Sequence, residues 1–275
     1  MEPFRFLFMA DCQLGCYATF SGMTEEDVAR FAARDMQVEI FPRAVGFEWD
    51  ARQYEKAVAM ANELDPAFVV MGGDMVDDPA STEQYREVLR ITARLDPPMQ
   101  WVPGNHDIGE DGDVPSPDSM ARYRERFGAD HYAFAHHDTT LIVVDTAVWV
   151  HAEKVPDEWE RQLGFLRGAL EEAAGRSGPV IVCGHHPLFT TDLDEPDSYW
   201  NVPAARRGLL LDLLADHDVS TYFCGHWHRN GGGRYRGLEV AVTGPVGYPL
   251  GDDPSGFRIV DVGPDGVAHN YVAVT

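Results

Sequence analysis

With 275 residues, 44% of them hydrophobic, the chain can bury the core of one large domain. Its 45 acidic against 22 basic residues give a formal net charge of −23, a surface that repels polyanions and weighs against binding a nucleic-acid polymer. No apolar run approaches the roughly 20 residues of a bilayer span, residues 1–10 lack a signal-peptide pattern, and Cys12, Cys16, Cys183 and Cys224 show no zinc-ribbon spacing, so reduced thiols in a cytoplasmic protein are expected.

In chain order, an apolar run predicts a buried strand over 4–9. Residues 15–50 are irregular, with one short helix from 24 to about 35, and such a connection is read as an insertion that covers a site. A helix over 51–64 and a strand over 68–71 follow. Ser81 and Gln84 resemble a capping box that opens a helix to about Leu95. A strand over 99–102 precedes a helix that Ser116 and Pro117 start and Gly128 closes. Strands over 140–144 and 180–183 alternate with helices over 158–174 and 204–215, and strands over 221–224, 238–242, 257–262 and 267–274 end the chain. Strand–helix alternation followed by a strand-rich end predicts an α/β layered sandwich. With no repeat and no linker rich in Pro or Ser, 1–275 is read as a single domain.

Five of the predicted strands run directly into side chains able to hold a metal. These are Asp11-Cys12-Gln13, Gly72-Gly73-Asp74, Gly104-Asn105-His106-Asp107, Gly184-His185-His186-Pro187 and Gly225-His226-Trp227-His228. Ligands in open α/β sheets bind beyond the carboxyl ends of strands, so the placement is chemically sensible. Glycine before the donor in the last four lets the chain turn sharply near an ion. His226 and His228 are two apart and would face one side of a regular strand. A lone Gly-Asp or a lone buried histidine carries no weight. Five such segments in one order do.

The series resembles the signature of the calcineurin-like metallophosphoesterase superfamily: Asp-x-His, Gly-Asp, Gly-Asn-His-Asp/Glu, His-x-Pro and Gly-His-x-His. Gln13 stands where histidine is usual. That difference, with 104–109 (GNHDIG), Tyr199-Trp200-Asn201, 225–233 (GHWHRNGGG) and Gly251-Asp252-Asp253-Pro254 followed by Gly256, resembles the narrower CPPED-type group of calcineurin-like phosphoesterase domain-containing proteins. The resemblance implies a four-layer αββα sandwich of two mixed sheets flanked by helices. It also implies two divalent metal ions, manganese, iron, zinc or magnesium. Asp11, Gln13 and His228 would hold one ion, Asn105, His185 and His226 the other, and Asp74 both. His106 would act on the substrate, Asp107 would orient its ring, and His186 would be a neighbour. A neutral amide at Gln13 is a weaker, harder ligand than imidazole and shifts its ion away from zinc.

The implied reaction is phosphoester hydrolysis by a hydroxide activated between two metals. The substrate would be a phosphorylated small molecule or a phosphoprotein, with a phosphodiesterase acting on cyclic nucleotides or nucleotide derivatives as the alternative. A non-catalytic module on the same fold would be expected to lose ligands or the catalytic histidine, and neither is lost here. Asp77 replaces the tyrosine of purple acid phosphatases, so no tyrosinate colour is expected. Asp78-Pro79 replaces the Arg-Gly of the phosphoprotein phosphatases. Of the cationic side chains nearby, Arg43, Arg52 and Arg229, the last is taken as the substrate-binding candidate because it follows the fifth motif. Trp49, Trp149, Trp200 and Tyr248 are candidates for pocket walls. Oligomeric state is left open.

Overall fold

The computed structural model describes residues 2–109 and 113–275. Strand β1 (Phe4–Met9) turns alternate side chains to opposite faces. A long connection with α1 (Cys16–Thr19) and α2 (Glu25–Ala32) leads to α3 (Glu48–Leu64), β2 (Val69–Met71), α4 (Thr82–Thr92), β3 (Met99–Trp101) and α5 (Asn105–Ile108). Then come α6 (Pro117–Phe127), β4 (Tyr132–His136), β5 (Thr139–Val143), α7 (Thr146–Val150), α8 (Pro156–Ala173), β6 (Val180–Cys183) and α9 (Ala204–Asp216). The chain ends in β7 (Val219–Cys224), β8 (Gly231–Tyr235), β9 (Leu238–Val242), β10 (Gly256–Gly263) and β11 (Gly266–Ala273).

The strands form two mixed sheets, ordered β11-β10-β1-β2-β3 and β4-β5-β6-β7-β9-β8. In the first, β1, β2 and β3 run parallel, with Leu7 opposite Val69 and Val69 opposite Met99, while β10 and β11 add antiparallel. In the second, β5, β6, β7 and β9 run parallel between antiparallel edges β4 and β8. Phe6, Phe8, Val70 and Val260 of one sheet pack against Leu141, Val143, Ile181 and Phe223 of the other. The opposite faces carry helices. Leu7, Met9 and Met71 meet Tyr54, Val58 and Val88, whereas Val182, Tyr222 and Val240 share a core with Leu166, Leu170, Leu210 and Leu214. The αββα sandwich is therefore the expected one, and each strand buried on both faces reads as a continuous apolar run.

Three differences have local causes. Strands β4 and β8 are not among the predicted strands: β4 is a short Tyr-Ala-Phe-Ala run with two alanines, β8 starts on Gly231-Gly232-Gly233 with no strand propensity of its own, and each forms by pairing with a neighbour in the sheet. Helices α5 and α7 are too short to show a helical period. Ser81 does cap α4, accepting from Gln84 N at 3.3 Å, but the box is not reciprocal. The Gln84 side chain turns to the loop after β2 instead, accepting from Asp77 N at 3.1 Å and Asp78 N at 2.9 Å.

Candidate active site

The carboxyl ends of β1, β2, β3, β6 and β7 deliver the five motifs to one place. The loops nest so closely that side chains are excluded between them. A Cβ on Gly104 would lie 2.1 Å from Asp74 Oδ1, and one on Gly225 would lie 2.4 Å from Asp11 Oδ2. Close approach, not a sharp turn, is what these two glycines provide. The unusual turns fall on the polar residues themselves: Asp11 (φ 53), Gln13 (φ 30), Asp74 (φ 53), His226 (φ 68) and His228 (φ 55) all have left-handed backbone. His226 and His228 lie beyond the end of β7, so they do not share a strand face; two left-handed residues turn them toward the centre.

Asp11, Gln13, Asp74, Asn105, His185, His226 and His228 are all buried. His185 Nε2 lies 3.1 Å from Asp74 Oδ2, 3.0 Å from Asn105 Oδ1 and 3.9 Å from Asp11 Oδ1, and His228 Nε2 lies 3.4 Å from Asp11 Oδ1. Donor atoms of Asp74, His185 and His226 all fall within 4.8 Å of one another. Each ring is held by its other nitrogen against a main-chain oxygen. His185 Nδ1 bonds Gly72 O at 2.8 Å, His226 Nε2 bonds Tyr199 O at 2.9 Å and His228 Nδ1 bonds Tyr248 O at 2.6 Å. That arrangement fixes the tautomer and leaves one lone pair per ring for a cation.

The donor set fits a metal on two further grounds. Gln13 Nε2 donates to Asp77 Oδ1 at 3.1 Å, which leaves Oε1 buried and without a hydrogen-bond partner among the described residues. The charges also call for a cation. Burial opposes charge on His185, but the Asp74 and Asp11 carboxylates outweigh it and raise the imidazole to about 10. Burial beside His185 lowers His226 to about 3, so it is a neutral lone-pair donor.

His106 stands at the edge of this group. Its Nδ1 bonds Asp77 O at 2.8 Å. Burial opposes its charge, yet Asp74 and Asp113 raise it to about 9. Asp107 does not orient this ring. Its carboxylate faces the main chain, accepting from Asp74 N at 2.8 Å, Met75 N at 2.9 Å and Gly104 N at 2.9 Å, and so ties the second loop to the third. His186 Nδ1 pairs with Thr146 Oγ1 at 2.9 Å, and its ring packs 4.3 Å from that of His226.

A cavity of about 210 Å³ opens on Gln13, Asp74, His106, His226 and His228, walled by Phe20, Met36, Tyr199, Trp200 and Leu250. Arg229 does not line it. Its Nε donates to Leu250 O at 2.6 Å, and its Nη1 and Nη2 donate to Asp35 Oδ1 at 3.0 Å and Asp35 O at 2.6 Å. Arg43 and Arg52 are exposed and also absent from the wall. Of the candidate aromatics, Trp200 lines the cavity, Trp149 is buried in the helical core, and Trp49 stacks on Tyr17 at 4.5 Å. Tyr248 contributes its carbonyl, to His228. Asp77, Asp113 and Tyr199 were not singled out as site residues from sequence. Tyr199 carried a signal in the Tyr-Trp-Asn tripeptide and Asp77 in its place at the purple-acid-phosphatase tyrosine position, whereas Asp113 carried none.

The calcineurin-like phosphoesterase family model matches residues 4–230. The serine/threonine-protein phosphatase CPPED1 of Bos taurus is 32% identical over 240 residues, 83% of this chain and 76% of that protein. A more distant relative is the 3',5'-cyclic adenosine monophosphate phosphodiesterase CpdA of Haemophilus influenzae, 25% identical over 183 residues, 66% of this chain and 61% of that protein. The fold matches the crystal structure of a dimetal phosphatase from Danio rerio with a TM-score of 0.63 at 16% identity, covering 100% of both chains. Sequence match, sandwich and a buried Asp–His cluster at the strand ends agree, and the chain belongs to the calcineurin-like phosphoesterase family of metal-dependent enzymes.

Proposed function

We propose that the chain hydrolyses phosphomonoesters, of a phosphorylated small molecule or a phosphoprotein, with two divalent cations held by the five loops. The observation that carries this reading is the convergence of seven buried donors, with each of the three histidines aimed by a main-chain oxygen and Gln13 Oε1 left for a cation. Asp11, Gln13 and His228 would hold one ion, Asn105, His185 and His226 the other, with Asp74 between them. Bound divalent ions supply Lewis acidity toward the phosphoryl oxygens and the attacking water. His106, its Nδ1 held by Asp77 O, presents Nε2 as the proton donor to the departing ester oxygen. Asp107 contributes by holding two loops in register.

The cavity supports a single phosphate on the substrate. No Lys or Arg lines it among the described residues, while Asp77 and Asp113 do, so a second anionic group would be desolvated without a partner. Phe20 and Met36 reach the wall from 15–50, which supports reading that segment as a cover within one domain spanning 1–275. Among the described residues no helix is long and apolar enough to cross a membrane. Four buried free thiols support a reducing, cytoplasmic setting.

The test is a panel of para-nitrophenyl phosphate, its bis ester, cyclic nucleotides and a phosphopeptide, with Mn²⁺ supplied. Monoester and phosphopeptide should be cleaved faster than the diesters, and His106→Ala should lower kcat by roughly 10²- to 10⁴-fold. Faster cleavage of cyclic nucleotides would make the protein a phosphodiesterase. Unchanged turnover in His106→Ala would remove the assigned proton donor.

A further inference from the structure

The tripeptide Tyr199-Trp200-Asn201 lies in the connection between β6 and α9, and each residue ties that connection to something different. Asn201 braces it internally: its Oδ1 accepts from Ser198 N at 3.1 Å, and its Nδ2 donates to Glu195 Oε1 at 2.6 Å and Pro196 O at 3.0 Å. Trp200 Nε1 donates to Arg34 O at 3.0 Å, in the 15–50 segment. Tyr199 reaches two donors of the cluster. Its carbonyl accepts from His226 Nε2 at 2.9 Å, while its hydroxyl accepts from Asn105 Nδ2 at 3.3 Å and donates to Asp113 Oδ2 at 3.2 Å.

An asparagine amide has two ends of opposite character, and only the oxygen can hold a cation. With Nδ2 on the Tyr199 hydroxyl, Oδ1 is turned inward, 3.0 Å from His185 Nε2. Asp113 takes the hydroxyl hydrogen, which leaves the phenol oxygen as an acceptor and so selects the NH₂ end of Asn105. The Tyr199 carbonyl takes the Nε2 hydrogen of His226 and leaves Nδ1 as its lone-pair donor.

We propose that Tyr199 is a positioning residue for one of two metal ions, aiming Asn105 with its hydroxyl and His226 with its carbonyl. The inference rests on the two-ion reading of the site. The other amide, Gln13, is oriented by a different group, the Asp77 carboxylate. The two ions therefore depend on separate supports, and disturbing Tyr199 weakens only one of them.

Tyr199→Phe keeps the ring and the carbonyl and removes the hydroxyl. Chelator-stripped wild type and variant are titrated with Mn²⁺ by calorimetry, and protein loaded with two equivalents is compared by electron paramagnetic resonance. Wild type should bind two equivalents and give an exchange-coupled spectrum. In the variant one equivalent should weaken by roughly 10- to 100-fold, the other should be unchanged, and the spectrum should turn to that of isolated ions. The melting temperature of the metal-free variant should equal that of wild type. Asp113→Asn, which disturbs the hydroxyl from its far side, should weaken the same equivalent. Two unchanged equivalents in both variants would overturn the proposal. So would equal weakening of both equivalents together with a lower metal-free melting temperature, which marks a general packing role. Wild type that binds fewer than two equivalents would instead overturn the two-ion reading beneath it.

Discussion

Five of the donors at the site sit on left-handed backbone, a conformation that costs a non-glycine residue about 1–2 kcal/mol. Strain of this kind persists where surrounding structure enforces it, and here hydrogen bonds between the loops do so: Asp11 N to Gly73 O at 2.9 Å and Gln13 N to Asp74 O at 2.9 Å. Residue identity then sets the chemistry. Gln13 offers one amide oxygen where imidazole would offer a softer nitrogen, so Gln13→His should raise zinc affinity by about 10-fold or more in a competition assay with a chromogenic chelator. Asp107 makes a separate case. Burial pushes its carboxyl above the ordinary value, helped by the Asp74 charge, while the amides of Gly104 and Met75 pull it down. In Asp107→Asn one NH₂ group would face a main-chain N–H. Thermal or urea unfolding should show a loss of roughly 1–3 kcal/mol, where a ring-orienting aspartate would have changed turnover and spared stability.

At the scale of elements, the 15–50 connection is held to the site by its 34–39 stretch. Asp35, itself left-handed at φ 60, accepts from Trp227 Nε1 at 3.1 Å and from Arg229, the residues on either side of His228. Gln37 N donates to Leu250 O at 3.0 Å, and Arg34 O receives Trp200. Met36, between these anchors, lines the cavity. Arg229 is thus a clamp for a wall, and the expectation that it touches substrate fails because Asp35 and Leu250 already use its donors. Asp35→Ala should loosen the stretch by about 1 kcal/mol, since the ion pair is partly exposed. Hydrogen exchange at residues 36–39 should accelerate roughly fivefold while the central strands β1, β2, β6 and β7 stay protected. Equal acceleration in those strands would mean that Asp35 supports the whole fold and not this wall.

For the whole molecule, the net charge of −23 implies self-repulsion that salt relieves. Its melting temperature should rise between about 0.01 and 0.5 M sodium chloride, with most of the gain complete once the Debye length falls below about 10 Å. A flat response would mean that ion pairs such as Arg124 with Asp130 at 2.7 Å already balance the charge locally. What residue order determined by itself is considerable. Strands β1, β6 and β9 have the bounds their apolar runs predict, and five motifs at strand ends marked the polar cluster, because strand burial and strand-end chemistry are both local in sequence. What the residue order did not contain is which atom of each side chain faces inward. Asp107 turned to amides of its own and a neighbouring loop, His106 took its partner from the carbonyl of Asp77, and Tyr199 reached Asn105 across 94 positions. Such contacts join main-chain groups and distant loops that carry no motif of their own, so only the packed sandwich, by fixing which loops touch, decides them.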